Sequence, residues 1–237
     1  MERIVRLLVV TIKSWHIEKA LEKQLHDVDN EWHIITSKDD FTPEAVEKIN
    51  PDYIFLPHWS WLIPETICEK YETVVFHPTD LPFGRGGTPI QNQIARGIYS
   101  VQLTALRASA QIDAGDIYMK VPFDLSYGNV EEILKRAGEI YFEKMIPRII
   151  SERTKPKPQE GVVTQFVRRK PEQSNLQGAE EIKSDRALYD LVRMLDGEGY
   201  PGAYIPVANG RLLFKNASLE NNACKMDIVF ESMENDE

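Results

Sequence analysis

The sequence predicts an α/β fold: a doubly wound, mostly parallel sheet, with a smaller mixed α+β part toward the C-terminal end. Three observations carry this. Short apolar runs alternate with helical patterns through the first half, Gly, Pro and Asp punctuate the strand ends, and the pattern changes character after Lys-Pro-Lys-Pro at 155–158. In order, residues 4–11 read as a strand covered on both faces, because Leu7, Leu8, Val9 and Val10 are consecutive. Residues 15–26 read as a helix, with Ile17, Leu21 and Leu25 four apart. A strand at 32–36, a short helix at 43–49 and a strand at 53–56 follow. Pro64 stands where an N1 proline would open a helix over 64–70. Residues 73–77 form the next strand, which places His77 at a carboxyl end, where ligands bind in such sheets.

Residues 82–89, Pro-Phe-Gly-Arg-Gly-Gly-Thr-Pro, specify a shaped loop, and Thr88-Pro89 reads as N-cap and N1 of a helix reaching about residue 96. Strands at 101–107 and 117–121 flank Asp113-Ala-Gly-Asp116. Apolar residues at 130, 133, 134, 137, 140, 141 and 145 mark one face of a single long helix over 130–150. The Lys-Pro-Lys-Pro segment reads as a stiff linker between a domain at 1–152 and a smaller one at 159–237. The latter has a strand at 162–167, a helix at 184–195, strands at 204–207 and 211–214, and a frayed acidic tail at 231–237.

The composition, 42% hydrophobic and 27% charged over 237 residues, is that of a globular protein. The apolar run at 7–10 is too short for a signal segment or a membrane span, so the expectation is a cytoplasmic protein with no membrane partner. Cys68 and Cys224 lack metal-ligand spacing and read as reduced thiols, with no metal site expected. Lys and Arg total 28 against 37 Asp and Glu, a net charge of −9. That sign sets nucleic acid aside as the main partner, since the basic runs at 153–157 and 168–170 are short.

The chemistry centres on His77 and Asp113. His77 ends an apolar strand, is followed at once by Pro78, and lies just upstream of the glycine-rich loop. Asp113 offers a carboxylate able to orient and charge-stabilise an imidazole. His58 reads as structural.

The run from His77 to Ile90, His-Pro-Thr-Asp-Leu-Pro-Phe-Gly-Arg-Gly-Gly-Thr-Pro-Ile, resembles the signature loop of the folate-dependent formyltransferases, and Asp113-Ala-Gly-Asp resembles their Asp-x-Gly turn. The stretch from Asn50 to Pro64 resembles the strand and loop that hold the pterin. The resemblance implies a formyltransferase-like Rossmann domain and transfer of formyl from 10-formyltetrahydrofolate to an amine. In it His77 serves as base and proton shuttle, Asp113 as orienting carboxylate. It implies pterin contacts from Trp61, Ile63, Phe83, Gly86, Gly87 and Asp113, and acceptor contacts from Arg85, Asn92 and Tyr200. Trp59 is a further aromatic candidate for the pterin or a nucleotide base. One departure stands out. The family carries asparagine two residues before the histidine as oxyanion donor, and here that position is Val75. Thr79, or Asn92, is expected to substitute.

Arg168 to Pro171, the stretch at 188–195 and that at 199–204 resemble the C-terminal part of nucleotide-sugar N-formyltransferases. The Phe-His-x-Thr-Asp-Leu-Pro-Phe-Gly-Arg-Gly-Gly form resembles a branch tied to pseudaminic-acid-type surface polysaccharide. The implied acceptor is a nucleotide-linked amino sugar such as UDP-4-amino-4,6-dideoxy-N-acetyl-L-altrosamine, and a homodimer is allowed. A tRNA-linked acceptor is set aside on chain length and charge, and a glycinamide ribonucleotide acceptor because Thr11-Ile-Lys-Ser-Trp15 lacks the glycines of a phosphate loop. Two rivals remain: a hydrolase releasing formate from the same carrier, and a non-catalytic nucleotide-sugar or folate binder.

Overall fold

The computed structural model describes residues 4–221 and 223–232. In chain order the elements are β1 (Val5–Val10), α1 (Ser14–His26), β2 (Asn30–Ile35), α2 (Pro43–Ile49), β3 (Tyr53–Leu56), α3 (Glu65–Lys70), β4 (Glu72–His77), β5 (Arg85–Gly86) and α4 (Pro89–Ile94). Then come β6 (Ser100–Arg107), β7 (Ile117–Asp124), α5 (Val130–Ile140), a π-helical turn (Tyr141–Met145), α6 (Ile146–Glu152) and β8 (Gln165–Phe166). A 3-10 turn (Pro171–Ser174), α7 (Asp185–Arg193), β9 (Ala203–Val207), β10 (Gly210–Glu220) and β11 (Ala223–Ser232) complete the order. Two compact units result. One comprises Met1–Gly86, Gln102–Phe123 and Lys135–Gln165; the other Gly87–Val101, Asp124–Leu134 and Phe166–Glu237.

The first unit is built on a six-stranded sheet of order β2-β1-β3-β4-β6-β7. β1 pairs in parallel with β2 and β3, β3 with β4, and β6 runs antiparallel to β4, so the expected doubly wound, mostly parallel architecture is present. Leu7, Leu8, Val9 and Val10 are fully buried, as a strand with both faces covered requires. On one face Leu8, Val10, Ile54 and Leu56 pack with Val46 of α2 and Ile67 of α3. α2 has the bounds its signals set: Thr42 Oγ1 accepts the Ala45 N–H at 3.2 Å, Pro43 opens the helix, and Asn50 closes it left-handed at φ 49°. Pro64 is the N-cap of α3 rather than N1, its carbonyl accepting the Ile67 N–H.

The helix expected over 130–150 is interrupted by the π-turn. Ile133, Ala137, Tyr141, Met145 and Ile149 are all buried, at constant four-residue spacing. On a 3.6-residue helix each four-residue step drifts by about 40°. One wider turn takes up that drift and returns the last two turns to the core. β7 runs on to Asp124 through Pro122, which its position at the sheet edge tolerates.

The supposed linker is a strand-like part of the first unit: Lys157 and Ile117 exchange both backbone hydrogen bonds, at 2.7 and 2.9 Å. The expected strand at 162–167 contracts to β8. In the second unit, α7 is capped by Ser184, whose Oγ accepts the Ala187 N–H. Its sheet has order β11-β10-β9. β10 is longer than expected and β11 was not expected. Glu231 and Ser232 of the supposed tail belong to β11, and 233–237 lie outside the described residues.

Candidate active site

β4 delivers His77 to the carboxyl edge of the sheet, in register with Thr104 of β6, and 7% of the residue is exposed. Its Nε2 stands 2.8 Å from the Gly84 carbonyl oxygen. A carbonyl only accepts, so Nε2 carries the proton and the lone pair of the neutral ring lies on Nδ1. Nδ1 faces Asp113 Oδ2 at 3.5 Å. That is too long for a strong hydrogen bond, but short enough for the carboxylate to stabilise a proton arriving at Nδ1. The tautomer is therefore fixed by Gly84, and Asp113 is left to stabilise charge at Nδ1.

Asp113 is held by its turn. It is left-handed at φ 52°, a conformation Asp tolerates. Two residues on, a Cβ on Gly115 would lie 1.8 Å from the Arg107 carbonyl oxygen, so the Asp-x-Gly turn admits only glycine there. Asp113 Oδ2 accepts the Gly86 N–H at 2.8 Å. Gln159 Nε2 donates to the carbonyls of both Asp113 and Gly115 at 2.8 Å. Its Oε1 accepts Arg85 Nε and Nη2 at 3.1 and 2.7 Å, which engages Arg85 within the loop. Thr164 Oγ1 accepts the Gly84 N–H at 2.7 Å. Gln159 and Thr164 escaped the sequence reading because neither periodicity nor a local motif marks them.

Thr79 is fully buried. Its carbonyl accepts Thr104 Oγ1 at 2.6 Å, while its own Oγ1 has no protein partner. Val75, on the same strand face as His77 by the two-residue alternation, packs against the apolar cluster of Leu8, Val10 and Leu56, as does Ile63. Trp61 lies edge-on to Trp59 with centroids 4.9 Å apart and Lys38 Nζ 5.9 Å from its ring, and Phe83 is half-buried, its N–H bonded to the Asp80 carbonyl. His16 is buried against Thr11, Phe142 and Tyr141; burial first, then His58 and Lys13, lowers its pKa to about 3. Burial and Lys13 likewise lower His58 to about 4. Both rings are neutral at pH 7.

Gly87, Asn92 and Tyr200 belong to the second unit. A Cβ on Gly87 would meet Arg168 Cβ at 2.6 Å, so the glycine permits close packing there. Thr88, at the N-cap of α4, is left-handed at φ 47° and does not cap with its side chain; its Oγ1 instead accepts the Arg169 N–H and Asn92 Nδ2. Asn92 Nδ2 also faces the carbonyls of Gly87, Thr88 and Val167, and its Oδ1 accepts from Arg96, so its amide is committed locally. The Tyr200 hydroxyl bonds the Gln91 side chain, and burial raises its pKa. Arg193 is the largest fully buried side chain, paired with Asp190 at 2.6 Å and donating to the Leu125 and Gly128 carbonyls. A surface cavity of about 530 Å³ in this unit, bordered by Tyr127, Arg186 and Tyr189 among others, includes neither His77 nor Asp113. Among the described residues no acidic, His or Cys cluster could hold a metal ion, and no helix is long and apolar enough to cross a membrane.

A family model described as formyl transferase matches residues 13–150, and one described as methionyl-tRNA formyltransferase, C-terminal domain, matches 171–231. The solved structure of a methionyl-tRNA formyltransferase from Clostridium thermocellum is 45% identical, with a TM-score of 0.91, covering 97% of this chain and 100% of that one. A sugar N-formyltransferase from a Shewanella species, 12% identical with a TM-score of 0.66 over 98% of this chain and 100% of that one, shares the fold. The methionyl-tRNA formyltransferase of Rickettsia felis is 34% identical over 114 residues, 47% of this chain and 38% of its own length. The matched region thus spans about two fifths of that curated relative.

Proposed function

The chain belongs to the formyl transferase family, and on that premise we propose that it moves a formyl group from 10-formyltetrahydrofolate to a primary amine. The observation that carries the proposal is the His77 Nδ1–Asp113 Oδ2 approach of 3.5 Å, with Nε2–H locked onto Gly84. The neutral amine attacks the formyl carbon, and the carbonyl opens to an oxyanion. Nδ1 of His77 takes the amine proton, and Asp113 stabilises the imidazolium. Collapse expels the folate N10, which receives the proton back from Nδ1, so the ring returns to its starting state. Thr79 Oγ–H, unspent on the protein, is the donor proposed for the oxyanion in place of the family's asparagine. The pterin contacts proposed in the first unit are Trp61, Ile63, Phe83 and Gly86, with Arg85 on the acceptor side. For Gly87, Asn92 and Tyr200, and for residues 159–237 as a domain completing the acceptor site beside a catalytic domain at 1–152, ligand contact is proposed on the sequence resemblance alone. Cytoplasmic location, expected from the apolar patterning of the sequence, and a homodimer complete the proposal.

Two acceptors are worth testing. Likeness over both halves of the chain to methionyl-tRNA formyltransferases supports a methionyl-tRNA acceptor, which charge and length alone had set aside. The net charge of −9 favours a nucleotide-linked amino sugar, because it opposes a polyanion. The test incubates the chain with 10-formyltetrahydrofolate and each acceptor, and mass spectrometry looks for a gain of one carbonyl unit. Transfer to one acceptor alone selects it. Formate release that needs no amine points instead to a hydrolase, and tight binding without reaction to a binding protein.

A further inference from the structure

The segment 157–165, which carries no signature in the sequence, reaches both halves of the His77–Asp113 pair. Its course is fixed by backbone: Lys157 pairs with Ile117 in both directions, Thr164 N–H donates to the Pro82 carbonyl at 3.2 Å, and the Thr164 carbonyl accepts the Arg85 N–H at 3.0 Å. Two side chains project from that frame. Gln159 ties the Asp113 and Gly115 carbonyls together at 2.8 Å each, while its oxygen is gripped by Arg85. Thr164 Oγ1 takes the Gly84 N–H at 2.7 Å, and the carbonyl of that same Gly84 accepts the His77 Nε2–H at 2.8 Å.

We propose that Gln159 and Thr164 are positioning residues: Gln159 sets the place of the Asp113 carboxylate, and Thr164 sets the tautomer of His77 through Gly84. Neither touches a reacting atom. Gln159 presents two hydrogens to two carbonyls of one left-handed turn, so the amide defines the orientation of that turn, and the Arg85 fork orients the amide. Thr164 holds Gly84 from both sides: its Oγ1 takes the N–H of the peptide before Gly84, and its carbonyl takes the Arg85 N–H of the peptide whose oxygen receives Nε2–H. Without the Oγ1 contact Gly84 is held from one side only and can turn, and the ring is free to place its proton on Nδ1, the nitrogen that must accept the amine proton. The inference rests on the formyl-transfer reading for its kinetic arm and on the fold alone for its spectroscopic arm.

The experiment uses the full chain with Gln159→Glu, Thr164→Val and Thr164→Ser. Gln159→Glu keeps the size and the Arg85 contact but replaces the donor to the two carbonyls with an acceptor. Thr164→Val keeps the shape without the hydroxyl, and Thr164→Ser restores it. The expected result is a kcat lowered about 10- to 100-fold for Gln159→Glu and Thr164→Val, as for an ångström-scale misplacement. KM for 10-formyltetrahydrofolate and the melting temperature stay close to wild type, and Thr164→Ser regains most of the rate. Independently of activity, 15N spectra of the His77 imidazole should show Nε2–H in the wild type and a mixture of tautomers in Thr164→Val. Wild-type protein that transfers no formyl group refutes the functional reading and leaves the spectra to decide the Thr164 part. Active wild type with kcat unchanged in both variants overturns the inference, as does an unchanged His77 tautomer in Thr164→Val. A parallel collapse of kcat, KM and melting temperature also overturns it, since that marks a purely structural role.

Discussion

Replacing Asp113 by Asn isolates the electrostatic half of the site. The amide keeps the shape of the side chain and an oxygen to accept the Gly86 N–H, so the turn held by Gln159 and Gly115 should survive. What disappears is a negative charge 3.5 Å from His77 Nδ1. At an effective dielectric of about 20, two unit charges at that separation attract by about 5 kcal/mol. The imidazolium is transient and 16% of the Asp113 side chain meets solvent, so the share felt by the barrier is about 3–4 kcal/mol. Each 1.36 kcal/mol is tenfold; kcat should therefore fall by about two to three orders of magnitude, while KM for the folate moves little. Initial-rate kinetics on wild type and Asp113→Asn, with thermal melts confirming equal folding, make the measurement. A kcat within threefold of wild type would refute the reasoning, because the carboxylate would then not stabilise charge at Nδ1.

Thr79→Val should lower kcat by about a hundredfold, the typical cost of losing one oxyanion donor, whereas Thr79→Ser should retain activity; equal rates for the two would remove Thr79 from the mechanism. His16 is neutral in the folded state with its pKa lowered from 6.5 to about 3, so its contribution is intact above pH 6.5 and drains away as the pH falls toward 3. The loss is about 1.4 kcal/mol per pH unit, and denaturant melts at pH 7 and pH 5 should show a steeper loss in wild type than in His16→Gln. Gly138→Ala puts a methyl 2.6 Å from His16 Nε2, against a ring boxed in by Tyr141 and Phe142. The clash should cost about 1–3 kcal/mol despite the better helix propensity, and a raised melting temperature would contradict it. Arg193→Met strips the buried Asp190 of its closest ion-pair partner and should cost about 3 kcal/mol, the low end because Tyr99 and Arg186 still hold Asp190; unchanged chemical denaturation would contradict this.

Elements whose burial is set by local pattern were legible in the sequence. β1 and β3 are buried on both faces and read as continuous apolar runs, and α2 carried its own N-cap, opening proline and C-terminal asparagine. The π-turn was not legible, because a constant four-residue spacing resembles an ordinary amphipathic helix until it is followed over about four turns. β11 escaped because most of its residues are exposed, so no alternation marks it. His77 and Asp113 were found through their motifs, and the steric need for Gly115 explains why such a motif exists. Residues 155–158 read as a linker for a different reason. Pro156 and Pro158 signal extended chain, whereas Lys157 pairs with Ile117 and the residues just beyond bond to Pro82, Gly84 and Asp113, all far away in sequence. Arg193 likewise reads as an ordinary cation at a helix end, and only the folded chain shows it buried over the 125–128 carbonyls.

The most direct measurement is single-turnover formyl transfer by His77→Gln, with the acceptor identified and folate binding confirmed by titration. Normal binding with transfer slowed by at least a thousandfold is the predicted result. Transfer at the wild-type rate would contradict the account, since no imidazole would remain to take the amine proton beside Asp113.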